Sequence, residues 1–271
     1  MEAESLDPNL LLDFKGIYVS YGDAPVLENI NLTIQRNQHW VILGCNGSGK
    51  STLIKLISND LYPNPKYPFK KALLGKSVWN IFELKQHLGI ITHDLHNYFA
   101  VHGNFLTAYE VVLSGFYSSI GVFQHQDFTD MQHQKALETL AFLDILELKN
   151  KPVRQMSTGQ LRLCVIGRAL IHDPIALLLD EPTIGLDFKA QHQFLKLLKK
   201  LSKRLSIVLV THHIEEVFEE ISHVALMHNK TIYKQGPKES ILTSQNLSNI
   251  FNIEMDLQQK NDRYYIQSIG D

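Results

Sequence analysis

Two stretches near the start of the chain alternate apolar and polar residues, Leu11 to Val19 and Val26 to Ile34, with the turn-rich Tyr21-Gly22-Asp23-Ala24-Pro25 between them. A period of two puts successive side chains on opposite faces of a strand, so the pattern predicts an antiparallel β region. A continuous apolar run, His39-Trp40-Val41-Ile42-Leu43, then predicts a buried strand; a glycine-rich loop follows, and Leu53, Ile54, Leu56 and Ile57 carry helical spacing. Pro63, Pro65 and Pro68 mark Leu61 to Pro68 as a loop, and Leu84 to Thr92 ends in a second buried-strand run, Leu88-Gly89-Ile90-Ile91. From about Asp94 to Gln155 the pattern is mostly helical: Thr107 and Glu110 have the spacing of a capping box, and Met131 to Leu148 is an amphipathic segment. Strand-like runs return at Ala176 to Leu179 and Ser206 to Val210, each with amphipathic helix beside it, and Ile253 to Ser268 predicts a small hairpin around Lys260-Asn261-Asp262.

The chain has 271 residues, which at roughly 100–200 residues per domain allows one composite domain or two small ones. No repeat and no long linker interrupts it, so one composite domain is expected. With 44% hydrophobic and 20% charged residues it is an ordinary globular composition, which excludes collagen-like and low-complexity classes. A net charge of −2 supplies no positive field for a phosphate backbone, so nucleic acid is not expected as a partner. Two cysteines far apart, Cys45 and Cys164, offer no disulfide framework and suit a reducing compartment, hence the cytoplasm. Met1 to Phe14 carries Glu2, Glu4, Asp7 and Asp13 and lacks the basic start and apolar core of a secretory signal. The longest uncharged stretch, Val111 to Gln126, falls short of the ~20 apolar residues of a bilayer span. The 13 histidines are scattered, with His212 and His213 adjacent, and show no metal-ligand spacing.

The chemistry begins with Gly44-Cys45-Asn46-Gly47-Ser48-Gly49-Lys50-Ser51, followed by Thr52. It matches G-x-x-x-x-G-K-[ST] between an expected strand and an expected helix, the context that gives the motif its meaning. A triphosphate is a dense anion, so such a loop turns backbone N–H groups inward and leads into the positive end of a helix dipole. Lys50 would reach the β- and γ-phosphates, and the Ser51 hydroxyl would ligate Mg²⁺. A phosphate loop alone does not separate ATPases, GTPases and small-molecule kinases. The run Ala176-Leu177-Leu178-Leu179 ends in Asp180 and Glu181, two acids able to divide the labour of holding the metal and aiming water. Asn229-Lys230-Thr231-Ile232 lacks the acid of a guanine-reading N-K-x-D, which disfavours GTP.

With these features in order, the chain resembles the ATP-binding cassette family, the nucleotide-binding subunits of ABC transporters. Tyr21, 23 residues ahead of Gly44, stands where the family stacks an aromatic ring on adenine; read alone, it is more often turn packing. Met156-Ser157-Thr158-Gly159-Gln160 is similar to the family's LSGGQ signature, with Thr158 where a glycine is usual, and Gly185-Leu186-Asp187 is similar to its D-loop. His212, 32 residues after Asp180, resembles the switch histidine. Where the family has the Q-loop glutamine, this chain has His93.

The resemblance implies an α/β fold: a P-loop NTPase cassette with a mixed-sheet core, an N-terminal antiparallel β region and a helical subdomain. It implies one domain over 1–271, with 9–93 and 156–243 forming the ATP-binding body, 94–155 the helical subdomain, and 244–271 a tail with a small hairpin. It also implies ATP and Mg²⁺ as ligands. Tyr21 and Gly44 to Thr52 would bind ATP, Ser51, Asp180 and also His93 would serve the metal, and Lys50, Glu181 and His212 would act in hydrolysis. Ser157, Thr158, Gly159 and Gln160 would act on the ATP of a second copy in a sandwich dimer, with Asp187 at that interface. A membrane permease would be the other partner, docked on the helical subdomain and His93; the aromatic set Tyr98, Phe99, Phe105, Tyr109, Phe116 and Tyr117 could line that groove, although core packing is the commoner use of such residues. The expected function is ATP hydrolysis powering transport, by the character of the tail in the direction of uptake, at the inner face of the membrane. The alternative is a soluble, non-transport cassette ATPase with a regulatory role.

Overall fold

The computed structural model describes residues 9–261 and 263–270. The acidic N-terminal residues Glu2, Glu4 and Asp7, and Asp262 in the expected hairpin turn, lie outside the described residues. The chain forms two compact units, one made of the described residues up to Ile81 together with those from Leu201 onward, the other of Phe82–Lys200.

The first unit opens with strands β1 (Leu10–Tyr21) and β2 (Ala24–Gln35). They pair antiparallel from Leu10 opposite Gln35 to Tyr21 opposite Ala24, and Leu12, Phe14, Ile17, Leu27, Ile30 and Ile34 are buried. Strand β3 (Trp40–Gly44) is buried along its whole length, as expected of a strand covered on both faces. After the phosphate loop comes helix α1 (Lys50–Ile57). Strand β4 (Lys70–Leu73) then joins the other edge of β1, giving a three-stranded antiparallel sheet in the order β2-β1-β4.

Helix α2 (Ile81–His87) leads into strand β5 (Leu88–Ile91). The buried-strand run at Leu88 is present, and the segment before it is helical; Glu83 in its first turn and Lys85 and His87 in its last complement the helix dipole. The second unit continues through α3 (His93–His102), α4 (Ala108–Leu113), α5 (Asp130–Phe142) and α6 (Thr158–Leu170). The capping box expected at Thr107 and Glu110 is present at the start of α4. Helix α5 stops six residues before the expected Leu148, because Asp144 takes a left-handed φ of 57°, a conformation that terminates helices. Strand β6 (Ala176–Asp180) lies parallel to β5, with Ile91 opposite Leu179. Helix α7 (Phe188–Leu201) follows.

Back in the first unit, β7 (Ser206–Thr211) and β8 (His223–His228) flank β3 on either side in parallel, and β9 (Thr231–Pro237) adds antiparallel to β8. Helices α8 (Lys238–Ile241) and α9 (Ser244–Phe251) then precede an antiparallel hairpin of β10 (Met255–Lys260) and β11 (Arg263–Ile269).

Candidate functional site

The phosphate loop springs from the C-terminal end of β3. Gly47 and Gly49 take positive φ angles of 81° and 103°, turning the backbone as an anion-binding nest requires. Gly49 has no room for a side chain: an added β-carbon would lie 2.5 Å from a Leu27 methyl and 3.1 Å from the Val26 carbonyl. At Gly44 it would lie 2.6 Å from the Met227 carbonyl. The Lys50 ammonium folds back over the loop, donating to the carbonyls of Gly44 at 2.8 Å and Cys45 at 3.1 Å. The Ser48 hydroxyl is buried with no hydrogen-bond partner, which costs about 1–3 kcal/mol unless a ligand satisfies it. Ser51 and Asn46 are exposed, and Thr52 is buried against the body. The donor set, the missing side chains and the orphaned hydroxyl fit a polyphosphate held at the α1 N-terminus.

Two other expected residues belong to this unit. Tyr21 ends β1 with half its surface open, 50% exposed, so its ring face is free to stack. Thr211 lies opposite Leu43, so His212 leaves β7 at the strand end from which the phosphate loop leaves β3. The His212 and His213 rings sit 4.0 Å apart, and the His213 amide donates to Thr211 Oγ1 at 3.0 Å.

In the second unit Asp180 closes β6 and Glu181 follows in a left-handed conformation with φ 46°. Because β5 and β6 are parallel and in register, Thr92-His93 and Asp180-Glu181 leave the same end of the pair. Thr92 caps α3 by accepting the Leu95 amide at 3.1 Å, and His93 Nδ1 is buried without a partner, an atom fit for a water or an ion.

Ser157 caps α6: its hydroxyl accepts the Gln160 amide at 3.2 Å, while Gln160 Oε1 accepts the Ser157 amide at 3.1 Å and the Lys151 ammonium at 3.0 Å. Gly159 is different from Gly49. A β-carbon there would meet nothing nearer than the Ala190 β-carbon at 3.5 Å, so the chain's own packing does not demand glycine. Asp187 caps α7 by accepting the Ala190 amide at 2.7 Å, and Gly185 takes φ 76° beside it. A groove of about 550 Å³ runs along this side, lined among others by Ser157, Gly159, Gln160, Asp187 and Phe194.

Three residues were missed by the sequence reading. Arg162 is fully buried and donates to the Ile184 carbonyl at 3.2 Å, tying α6 to the loop after Glu181; a cation within the apolar run Leu161 to Leu170 was the available signal. His96 is buried, and burial together with the Arg162 charge pushes its imidazole below the ordinary range. Phe188 is 92% exposed next to Asp187, and no sequence periodicity marks it.

This geometry defines a P-loop nucleotide-binding cassette. Residues 27–184, more than half of the chain, match the family model described as ABC transporter, and the chain belongs to that family as an ATP-binding, ATPase-type subunit. It is similar to a protein of Streptococcus mutans described as an ABC transporter ATP-binding protein, 29% identical over 262 residues that cover 95% of this chain and 98% of the relative. The structure of cbiO1 from Clostridium perfringens, part of the ABC transporter complex cbiONQ, is 26% identical with TM-score 0.73, covering 90% of this chain and 95% of that one. A chain described as a metal-chelate type ABC transporter in an inward-facing conformation shares the fold, with TM-score 0.76 and 24% identity over 95% of this chain and 96% of that one.

Proposed function

We propose that this chain hydrolyses ATP to drive uptake through a separate membrane permease, working at the inner, cytoplasmic face of the membrane as a pair of copies closed over two nucleotides. The observation that carries the reading is Gly159: glycine stands at an accessible helix N-terminus where the chain's own packing leaves room for a side chain, so the close approach it permits is to something outside the chain. The γ-phosphate of a nucleotide held by the other copy has the matching charge. Phe188, exposed beside Asp187, supports burial of this edge against a partner.

In this reading Tyr21 stacks on adenine, and the loop from Gly44 to Thr52 holds the phosphates. Lys50 offsets charge on the β- and γ-oxygens. Glu181 orients or deprotonates the attacking water, and His212 holds the γ-phosphate in line with it. Ser157 to Gln160 of the partner subunit donate to the spreading negative charge. Ser51 and Asp180 are hard oxygen donors that suit Mg²⁺, with His93 able to hold a water of its shell. When bound, the ion supplies Lewis-acid stabilisation of the phosphoryl oxygens.

Tyr98, Val101 and Phe105 are 47%, 63% and 66% exposed, and this apolar face supports docking to a permease. The membership of cbiO1 in a transporter complex supports the same partner. The permease carries the transported molecule, so it also sets the substrate. The test is recovery of the tagged chain from detergent-solubilised membranes. A multi-span protein that co-purifies, and is lost in a Val101→Asp, Phe105→Asp variant, is the expected result. Recovery only as a soluble homodimer whose ATPase activity ignores membranes overturns it in favour of the regulatory alternative.

A further inference from the structure

Between β7 and β8 the chain that follows His212 contains one single helical turn, Ile214–Glu216. Its backbone hydrogen bonds include Glu216 N to His213 O at 3.3 Å and Val217 N to Ile214 O at 3.0 Å. A turn so short does not hold its shape alone; what packs on it decides where the preceding histidine points. Ile214 of the turn and Val217 and Phe218 just after it are buried, and strand β11 of the C-terminal hairpin packs against the turn itself.

The hairpin is firmly seated. Its first strand is fastened to α9, with the Met255 amide donating to Ser248 Oγ at 2.9 Å and the Leu257 amide to Ser244 Oγ at 3.0 Å. The Gly270 amide closes the base onto the Glu254 carbonyl at 2.8 Å. Tyr264, at 7% exposure, is the buried side chain of β11. The Lys238 ammonium lies 5.8 Å from the Tyr264 ring centre and donates to the Glu219 carbonyl at 2.8 Å, so ring, cation and the segment after the turn are joined.

We propose that the C-terminal hairpin is a clamp on the switch loop, and that Tyr264 is a positioning residue for His212. This rests on the reading of His212 as the group that holds the γ-phosphate. The turn starts two residues after His212, so a shift in its seating is carried to the imidazole, and a displacement of about 1 Å at such a group costs on the order of 10²-fold in rate.

The experiment is a double-mutant cycle on the full chain: Tyr264→Leu, Tyr264→Ala, His212→Ala and the combinations with His212→Ala, each assayed for ATPase kcat and KM and for hydrogen exchange of amides 212–218. Tyr264→Leu is the milder variant and carries the test if Tyr264→Ala does not fold. The expected result is a kcat lowered about 10–100-fold with KM for ATP nearly unchanged, faster exchange in 212–218, and no further loss when the change is added to His212→Ala. A clamp of purely structural value lowers thermal stability without this kcat-against-KM split. Unchanged kcat in Tyr264→Leu, or losses that multiply in the double variant, overturns the clamp while leaving the role of His212 standing. Wild-type turnover in His212→Ala overturns that role and the clamp with it.

Discussion

Glu181 holds a left-handed backbone, φ 46°, at a cost of roughly 1–2 kcal/mol for a side chain other than glycine. In the proposed reading this backbone aims the carboxylate at the attacking water. Glu181→Gln is expected to keep ATP binding and to lower turnover by about 10²–10³-fold, in line with loss of one preorganised transition-state contact; single-turnover hydrolysis alongside equilibrium ATP binding checks it. Gly49→Ala works through space. Its β-carbon falls 2.5 Å from Leu27 in a conformation with φ 103°, so loss of nucleotide binding and a lower melting temperature are expected together, measurable by titration and calorimetry.

At the scale of elements, the Ser157 hydroxyl is already engaged, capping its own helix. Ser157→Ala removes that cap, worth about 0.5–2 kcal/mol, and calorimetry should show a fall of roughly 2–4 °C in melting temperature per kcal/mol lost. A larger loss of hydrolysis than that cost explains would reveal the hydroxyl's second use. The cap at Thr107 and Glu110 was legible from its spacing, and Ser157 and Gln160 share that spacing although the sequence reading took them for the signature. Strands β3, β6 and β7 were legible as continuous apolar runs. Strand β4 was not, since it begins Lys70-Lys71. Lys71 is buried there, bonded to Asn59 Oδ1 at 2.5 Å and set over the Tyr62 ring, and burial pushes its amine down to about 8. Only long-range contacts make two lysines a strand, and a local window does not contain them. The phosphate loop was readable as a motif, whereas the buried Arg162 and the exposed Phe188 depend on which face each helix turns inward.

For the molecule as a whole, burial is the largest cause that lowers the pKa of His39, His96, His172 and His223. The folded state therefore prefers these rings neutral, and His39 Nδ1 accepts the Ile207 amide at 3.1 Å only in that form. Below about pH 6.5 the unfolded chain takes up protons that the folded one resists. These histidines leave stability unchanged near neutral pH and make it fall as pH drops below about 6.5, seen as a declining urea midpoint between about pH 7 and pH 5.5. Assembly gives a further expectation. If two copies share each site, specific ATPase activity rises with protein concentration, and Phe188→Ser flattens that rise; activity strictly proportional to concentration in the parent chain rules out sharing.

The two cysteines now differ in kind. The Cys164 thiol is buried and pushed up to about 12, so it stays unreactive at neutral pH. Cys45 is half-buried within the phosphate loop, and its own carbonyl receives the Lys50 ammonium. A maleimide is thus expected to add once per native chain, and ATP to slow the addition by covering the loop. The mass of the adduct then serves as a built-in occupancy gauge, readable in the unaltered protein without a radiolabel or an added fluorophore.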